Sequence, residues 1–382
     1  MINLTTLLDE RDPPPDDVRY GRQIAGVHRP VVVWTATRRC NLSCRHCYSA
    51  SIDHPYPGEL STAEAEAFVD DLAQMGAARL LISGGEPLLR DDVLGVARRA
   101  RAAGLALTLS TNGTALADPA TADAVVDAGF SYVGVSFDGL HEVHDAFRGK
   151  AGAFESSVQG VRNLVERDQR VGLRLTLTAT TVPMLGPVFD FIEREGFARA
   201  CFYHLASAGR GRKATREQLT QGQSRAAVER IIAFADQLRR QRPDVEVLTV
   251  ANATDGPCLV RWLETRGRPT AAVRARLGRV GGNRSGVALG HVSNTGEVHP
   301  DQFSWQTRLG NIRDRPFSAI WTDAGGALAK LRADRSQRFA TRCAACGYLD
   351  VCGGNVRVPS VMGPGPADVD PACYLDPEET VT

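Results

Sequence analysis

The stretch CNLSCRHCY at residues 40–48 directly follows an apolar, β-rich run at residues 31–37. Its three cysteines, Cys40, Cys44 and Cys47, lie within eight residues of chain. Three thiolates can surround one metal centre, but an Fe–S cluster is ordinarily held by four cysteines. A three-cysteine set therefore leaves one iron open to a cofactor or a substrate.

A structural zinc site, completed by His46, is the alternative interpretation of this stretch. Zinc sites are typically built from paired C-x₂₋₄-C units. The position of residues 40–48 after a predicted strand favours an active-site loop instead, because such loops line the functional face of a parallel barrel.

Apolar β-rich runs alternate with helical patterns from residue 31 onward. Ser61 and Glu64 form a capping box that begins one helix, and Gly76 ends it. The alternation predicts βαβ units with a parallel sheet, and six repeats predict a partial (β/α)6 TIM-like barrel at residues 31–215 in an α/β fold. The six predicted strands lie at residues 31–37, 79–83, 105–110, 132–136, 173–180 and 200–205.

The sequence outside this barrel divides into three further predicted regions. Residues 1–30 contain three consecutive prolines and little periodicity, which predicts a leader on the surface. Residues 216–284 predict a helical and irregular linker. Residues 285–382 predict a C-terminal domain with a hairpin around 293–296 and a tail that needs a metal cluster to order it.

Composition excludes several function classes. The 382 residues carry 45 Lys plus Arg against 44 Asp plus Glu, a net charge of +1 that disfavours bulk binding to nucleic acid or to a membrane surface. No apolar run approaches the roughly 18 residues of a membrane span, and the acidic, proline-containing N-terminus is unlike a secretory signal. We therefore expect a cytoplasmic protein with no nucleic-acid or membrane partner.

A second cysteine group lies near the C-terminus, at Cys343, Cys346, Cys352 and Cys373. Four thiolates satisfy either a 4Fe-4S cluster or a zinc ion, and the residues alone leave both open. The two other cysteines, Cys201 and Cys258, lie outside both groups and are predicted to be small buried side chains.

Motifs at successive strand ends carry a family resemblance. Together with Cys-x₃-Cys-x₂-Cys followed by Tyr48, these motifs resemble the radical S-adenosylmethionine (SAM) superfamily over roughly residues 30–210. The segments are Gly84-Gly85-Glu86-Pro87, Ser110-Thr111-Asn112-Gly113, Ser136-Phe137-Asp138-Gly139 and the sequence around Arg148.

The resemblance implies the cofactors. A 4Fe-4S cluster on Cys40, Cys44 and Cys47 would chelate SAM, and one electron would cleave SAM to methionine and a 5′-deoxyadenosyl radical that takes hydrogen from a substrate. Glu86 would suit the SAM ammonium group. The implied cofactor-binding residues are Tyr48, Gly84, Gly85, Glu86, Pro87, Ser110, Asn112, Ser136, Asp138 and Arg148.

The C-terminal cysteine spacing resembles the SPASM extension, which binds auxiliary Fe–S clusters. The full pattern has further cysteines, but Asp301 and Val356 stand at two of those positions here, and no cysteine lies between Cys258 and Cys343. The missing ligands would all belong to one auxiliary cluster, so the resemblance implies two 4Fe-4S clusters in total. Asp301 is not expected to ligate iron, because carboxylate is a poor match for an Fe–S cluster.

The end of the sixth predicted strand, Tyr-His-Leu at 203–205 followed by Gly-Arg-Gly at 209–211, resembles the enzymes that modify tetrapyrrole side chains in d1-haem biosynthesis (NirJ type) and in the alternative haem b pathway. The tail at 346–357 and 370–375 fits the d1-haem branch. That branch implies hydrogen abstraction from propionate side chains of 12,18-didecarboxysirohaem, leading to their removal.

Candidate substrate residues follow from this resemblance. Arg210, Arg212 and Arg357 are suitable forks for carboxylates, or else solvated charges. His204 is the candidate catalytic residue, as a proton donor or a ligand of the substrate iron, against the alternative of a hydrogen-bonded histidine at a strand end.

The implied partners are a tetrapyrrole and an electron donor such as a ferredoxin or flavodoxin. Three alternatives stay open: a decarboxylase of the alternative haem b pathway acting on a sirohaem-derived or coprohaem substrate, a SPASM enzyme that modifies a peptide, and a non-catalytic Fe–S or zinc protein. Only about 30 residues precede the first predicted strand, too few for the peptide-docking domain that many peptide-modifying relatives carry.

Overall fold

The computed structural model describes residues 1–9, 29–323, 325–333, 342–354 and 372–380. Within them, eleven strands form one mixed sheet. The strands are β1 (Ile2–Asn3), β2 (Val31–Thr35), β3 (Arg79–Ser83), β4 (Leu107–Thr111), β5 (Tyr132–Ser136), β6 (Val171–Leu177), β7 (Arg199–His204), β8 (Glu246–Val250), β9 (Leu289–Val292), β10 (Glu297–His299) and β11 (Gly310–Asn311).

The sheet has the order β1-β8-β7-β6-β5-β4-β3-β2-β9-β10-β11. Every neighbouring pair from β8 through β2 to β9 is parallel, whereas β1 pairs antiparallel with β8, and β9, β10 and β11 form an antiparallel end. All six predicted strands are confirmed as β2 to β7. Parallel neighbours bring their carboxyl ends to one edge of the sheet, which is where the predicted motifs lie.

Helices connect and cover these strands. In chain order they are α1 (Leu4–Leu8), α2 (Thr62–Gln74), α3 (Val93–Ala102), α4 (Pro119–Asp127), α5 (His141–Arg148), α6 (Ala153–Val165), α7 (Leu185–Arg194), α8 (Gln221–Gln241), α9 (Asp255–Glu264), α10 (Ala271–Val280), α11 (Phe317–Thr322), α12 (Gly326–Arg332), α13 (Leu349–Cys352) and α14 (Pro377–Thr380). In the described ranges, no helix combines the length and apolar character needed to cross a bilayer.

The capping box predicted from the sequence is present at the start of α2. The Ser61 hydroxyl accepts a hydrogen bond from the Glu64 backbone N–H at 3.3 Å, and the Glu64 carboxylate accepts one from the Ser61 N–H at 2.8 Å. Phe68, Val69 and Leu72 of α2 are buried in the core. The helix therefore begins where its unsatisfied N–H groups find side-chain partners.

The N-terminus differs from the predicted surface leader. Ile2 pairs with Thr249 of β8, and Leu4 and Leu7 of α1 are buried in the main core. Their spacing of three residues places both leucines on one face of the helix. Burial of this apolar face in the core is favourable, because it removes the two side chains from water. The proline-rich residues of the predicted leader lie outside the described ranges.

The predicted linker at 216–284 contributes to the sheet. Its long polar helix is α8, but residues 246–250 form β8, whose Val247 is buried and which pairs with β7 along its length. Further along the chain, β9 pairs in parallel with β2 and β10 forms the predicted hairpin with it. The C-terminal region thus continues the same sheet on the far side of β2.

Candidate active site

A cavity of about 1240 Å³ occupies the inside of the curved sheet. It reaches from Ser83 and Ser136, at the carboxyl ends of their strands, to Arg79 and Arg199, at the amino ends. Its volume exceeds the roughly 300–1,000 Å³ usual for small-molecule sites, so it can hold a large ligand together with a cofactor.

The first cysteine group lies at the mouth of this cavity. Cys40 and Cys44 are buried, Cys47 is half-buried, and the three pack with Leu42 in one small cluster. All three cysteines line the cavity. The structure therefore brings together the three thiols that the sequence grouped.

The glycine pair after β3 holds the base of the cysteine loop. The Gly85 N–H donates to the Thr37 carbonyl at 2.7 Å, and the Glu86 N–H donates to the Arg39 carbonyl at 2.8 Å. A Cβ atom on Gly85 would overlap the carbonyl oxygens of Arg38 and Arg39. Glycine at this position is required because two backbones touch there.

Helix α5 and the loop after β7 hold the same segment from other sides. The Ser43 N–H donates to the Arg148 carbonyl at 3.0 Å. Arg210 donates from its backbone N–H to the Cys47 carbonyl, from Nε to the Cys44 carbonyl and from Nη1 to the Ser51 carbonyl, at 2.9, 2.7 and 2.7 Å. Arg210 thus binds the cysteine loop itself.

The predicted substrate arginines consequently have different positions. Arg210 lines the cavity, but the contacts named above already use its Nε and Nη1. Arg212 is exposed and does not line the cavity. Arg357 lies outside the described residues. Arg212 is therefore not placed to bind a carboxylate in the cavity. Nη2 of Arg210 is buried and has no hydrogen-bond partner among the described residues, so carboxylate binding by Arg210 stays a prediction.

Electrostatics at the cysteine group suit a positively charged centre. Burial, with the nearby Glu86, raises the pKa of the Cys40 thiol to about 12, and burial likewise raises the pKa of Cys44, against the effect of Arg148. Ionised sulfur at these positions requires compensating positive charge. Iron supplies such charge, so the donor set fits a cluster with three cysteine ligands.

His46 is not directed at the cysteines. Its Nε2 lies 3.3 Å from a carboxylate oxygen of Asp138, and burial lowers the pKa of the imidazole. Within the described ranges no three His, Cys, Asp or Glu side chains form a group that could hold a single metal ion. A four-iron cluster distributes its ligands over separate irons and needs no such convergence.

Glu86 differs from its implied role at the SAM ammonium group. It is fully buried, does not line the cavity, and accepts hydrogen bonds from the Thr111 hydroxyl, the Asn112 N–H and the Leu88 N–H at 2.7, 2.7 and 3.1 Å. Its carboxylate joins the end of β3 to the end of β4. The backbone of Gly84 and Gly85, by contrast, faces the cavity.

The other implied cofactor residues divide into two sets. Tyr48, Ser110, Asn112, Ser136 and Arg148 line the cavity. Pro87 and Asp138 are buried and do not line it.

Side-chain contacts hold three of these residues, Asp138, Asn112 and Tyr48, in place. Asp138 lies 2.7 Å from Nη2 of Arg148, so it positions that guanidinium beside Cys44. Asn112 donates to the Asn41 side chain at 2.8 Å, and the Tyr48 hydroxyl lies 3.2 Å from the Ser83 hydroxyl. These contacts connect the strand ends to the cysteine loop.

His204 lies at the carboxyl end of β7 and lines the cavity. Its Nε2 is 3.0 and 3.1 Å from the two carboxylate oxygens of Asp255. Asp255 is fully buried at the start of α9 and also accepts a hydrogen bond from the Tyr374 hydroxyl at 2.6 Å. His204 is predicted from the sequence, but its two partners, which follow it by 51 and 170 residues, are not.

Arg174 is a further cavity residue that the sequence motifs do not predict. This residue stands in the middle of β6, lines the cavity, and donates from Nη1 to the Ser110 hydroxyl at 2.6 Å. The available signal was a single arginine in the mostly apolar stretch VGLRLTL. A charged side chain within a largely buried strand needs a polar partner or a ligand.

The second cysteine group lies on two neighbouring segments, 342–354 and 372–380. The Gly347 N–H donates to the Thr380 carbonyl at 3.0 Å, and the Arg342 side chain donates to the Leu375 carbonyl at 2.7 Å. Cys343, Cys346, Cys352 and Cys373 are each half-buried on these segments. Val356 lies outside the described residues.

Cys201, Cys258 and Asp301, which lie outside the two cysteine groups, are all buried. Cys201 is buried with Leu248 and Val250 on the strands, and Cys258 is buried in α9. Asp301 is buried and accepts hydrogen bonds from the Phe303 N–H and the Ser304 hydroxyl at 2.8 and 3.0 Å. Its carboxylate therefore orders its own turn.

Comparison with known proteins identifies relatives over the whole chain. A model of the radical SAM superfamily matches residues 34–200. The chain is 44% identical over 395 residues to Fe-coproporphyrin III synthase of Methanosarcina barkeri, with 99% of this chain and 98% of that protein covered. It is 39% identical over 388 residues to pre-heme d1 synthase of Dinoroseobacter shibae, with 100% and 94% covered.

Solved structures share the fold at lower sequence identity. Streptococcus suis SuiB bound to S-adenosylmethionine superposes with a TM-score of 0.67 and 15% identity, over 86% of this chain and 73% of that one. Native anSMEcpe with bound AdoMet superposes with a TM-score of 0.67 and 18% identity, over 90% and 94%. The predicted α/β fold is therefore confirmed.

Proposed function

The chain belongs to the radical SAM superfamily, and on this basis we propose that it modifies the side chains of an iron tetrapyrrole in haem biosynthesis. The observation that carries the proposal is the cavity, which joins the three-cysteine loop to an arginine-lined interior large enough for a macrocycle. Full-length similarity to two enzymes named for tetrapyrrole products supports it.

Cys40, Cys44 and Cys47 would hold a 4Fe-4S cluster and leave one iron for SAM. With both groups bound and one electron added, the cofactor supplies a 5′-deoxyadenosyl radical for hydrogen abstraction. The backbone at Gly84 and Gly85 would orient the methionine part of SAM, and Arg148, held by Asp138, would pair with its carboxylate. Burial of Cys40 and Cys44 would limit the contact of the reacting centre with bulk water.

Cys343, Cys346, Cys352 and Cys373 would hold a second 4Fe-4S cluster, for two in total. The contact between the two segments that carry them supports a common site. A ferredoxin or flavodoxin would supply electrons.

Two reactions are candidates for the tetrapyrrole. The motif at 203–211 and the cysteine tail support removal of propionate side chains from 12,18-didecarboxysirohaem, as in d1-haem biosynthesis. The higher identity to Fe-coproporphyrin III synthase, 44% against 39%, favours the formation of Fe-coproporphyrin III as the second candidate. Both candidates require the same cavity and the same cysteine loop.

The deciding experiment is anaerobic incubation of the reconstituted protein with SAM, dithionite and 12,18-didecarboxysirohaem, followed by liquid chromatography and mass spectrometry. Propionate loss supports the first candidate, and a product that matches authentic Fe-coproporphyrin III supports the second. Cys40→Ala is the control and should give neither product nor 5′-deoxyadenosine. Formation of 5′-deoxyadenosine by the wild type with no change in the tetrapyrrole would contradict the proposed substrate.

A further inference from the structure

Arg174 extends across the inside of the barrel. From β6 its side chain passes over Gly134 of β5 and reaches the Ser110 hydroxyl on β4, at 2.6 Å from Nη1. A Cβ atom on Gly134 would overlap the guanidinium. The missing side chain at residue 134 thus creates the space that this arginine occupies.

The charge of Arg174 has no acidic partner among the described residues. The groups that act on its guanidinium are Tyr203, Tyr132 and Cys201. Burial raises the pKa of both tyrosines, which are therefore neutral at ordinary pH. Its Nε is buried and has no hydrogen-bond acceptor in the described part of the chain.

Two other arginines on the cavity wall have acidic partners. Arg148 lies 2.7 Å from an Asp138 carboxylate oxygen, and Arg199 forms an ion pair with Glu246. A half-buried guanidinium without a counter-ion has lost part of its hydration, and a bound anion offsets that cost. Arg174 therefore provides a ready site for an anionic group that enters the cavity.

We propose that Arg174, together with Ser110, binds a carboxylate side chain of the substrate. This inference rests on the proposed function, since it assigns one contact of a carboxylate-bearing tetrapyrrole. A carboxylate can accept one hydrogen bond from the unpaired Nε of Arg174 and a second from the Ser110 hydroxyl.

The position of Arg174 favours a carboxylate of the substrate, rather than that of SAM, as its ligand. Arg148 interacts electrostatically with Cys40 and Cys44, so it stands where an amino acid chelated to a cluster would present its carboxylate. Arg174 interacts with Tyr132 and Tyr203 instead and lies three residues before the end of β6.

The test is a binding titration of the reconstituted holoenzyme with 12,18-didecarboxysirohaem and with its methyl ester, followed by visible absorbance. Arg174→Met should raise the Kd of the free acid at least about tenfold, because a hydrogen bond to a charged group contributes about 1.5–3 kcal/mol. Binding of the ester and of SAM should change by less than about twofold. Arg174→Lys keeps the charge and should recover part of the loss.

Controls separate this effect from misfolding. Arg167→Met removes an arginine that pairs with Asp123 outside the cavity and should leave all three affinities unchanged. Cluster absorbance and the Tm identify any variant that fails to fold, and Ser110→Ala then provides a second, smaller truncation of the same site.

The outcomes are distinct. Weaker binding of the acid alone supports the inference. Unchanged binding of the acid by a folded Arg174→Met protein overturns it, and so does weaker binding of SAM alone, which would assign the residue to the cofactor. A wild type that binds neither the acid nor the ester contradicts the proposed function itself.

Discussion

Both carboxylate oxygens of Asp255 lie within 3.1 Å of Nε2 of His204, so the imidazole at the end of β7 is held by a carboxylate from the start of α9. The Tyr374 hydroxyl donates to the same carboxylate at 2.6 Å. Tyr374 directly follows Cys373, and its ring stacks near the His204 ring at 6.4 Å between centroids. A cavity-facing histidine is thereby connected to the segment that carries a predicted cluster ligand.

We expect Asp255→Asn to slow tetrapyrrole turnover by at least about tenfold while 5′-deoxyadenosine formation continues. The amide cannot stabilise a protonated imidazole, and it presents a donor where His204 needs an acceptor. Measuring both products in the same reaction gives the ratio of substrate modified to SAM cleaved, which should fall. An unchanged ratio would show that His204 transfers no proton that limits the reaction.

Gly85→Ala should reduce the iron content of the protein. The added methyl group meets the carbonyl oxygens of Arg38 and Arg39, which lead into the cysteine loop. Gly95→Ala is the matched control, because a Cβ atom there meets nothing within 4 Å. Gly95 lies within α3, so this change should be neutral or stabilising by up to about 1 kcal/mol. Iron analysis and thermal unfolding of both variants check the pair, and equal iron in the two would contradict the contact.

Arg210→Met should also lower the iron content, since it removes donors to the Cys44 and Ser51 carbonyls. The exposed Arg212 two residues further on supplies the control: Arg212→Met should retain iron and SAM cleavage. Iron and acid-labile sulfide assays after identical reconstitution make the comparison. If Arg210→Met retained full iron and lost only tetrapyrrole binding, the predicted assignment of Arg210 to the substrate would be supported.

The stability of the protein should depend on pH through His144. Burial, together with Arg148, lowers the pKa of this histidine to about 3 from its ordinary value of 6.5. The folded state therefore holds His144 neutral, whereas the unfolded chain takes up a proton below about pH 6.5. The stabilising contribution is present above that pH and is lost as the pH falls, by about 1.4 kcal/mol per pH unit.

The change His144→Asn isolates this contribution. The asparagine oxygen can replace Nδ1 as acceptor for the Asp138 N–H, a 3.3 Å contact, without titrating. The free energy of unfolding in urea, measured between pH 7 and pH 5, should fall more steeply for the wild type than for His144→Asn. His54→Asn, at an exposed position, should keep the wild-type slope. Parallel slopes for the wild type and His144→Asn would contradict a lowered pKa.

The sequence by itself determined the order of elements and the chemistry at the cysteine loop. Six strands and their helices followed from local periodicity, and local periodicity is set by residues that are close in the chain. Three cysteines within eight residues likewise converge without help from distant parts of the chain. The glycine-rich motifs were visible because each occupies one turn at the end of one strand.

Only the tertiary structure decided what the individual side chains face. Glu86 and Arg210 were expected at ligands, but the fold uses both to hold the cysteine loop and the strand ends. Arg174 and Asp255 were overlooked because their partners are distant in the chain, at 64 residues for Ser110 and 51 residues for His204. Residue type and spacing give the available chemistry, whereas the direction of a side chain depends on sheet register and on neighbours that fold from elsewhere.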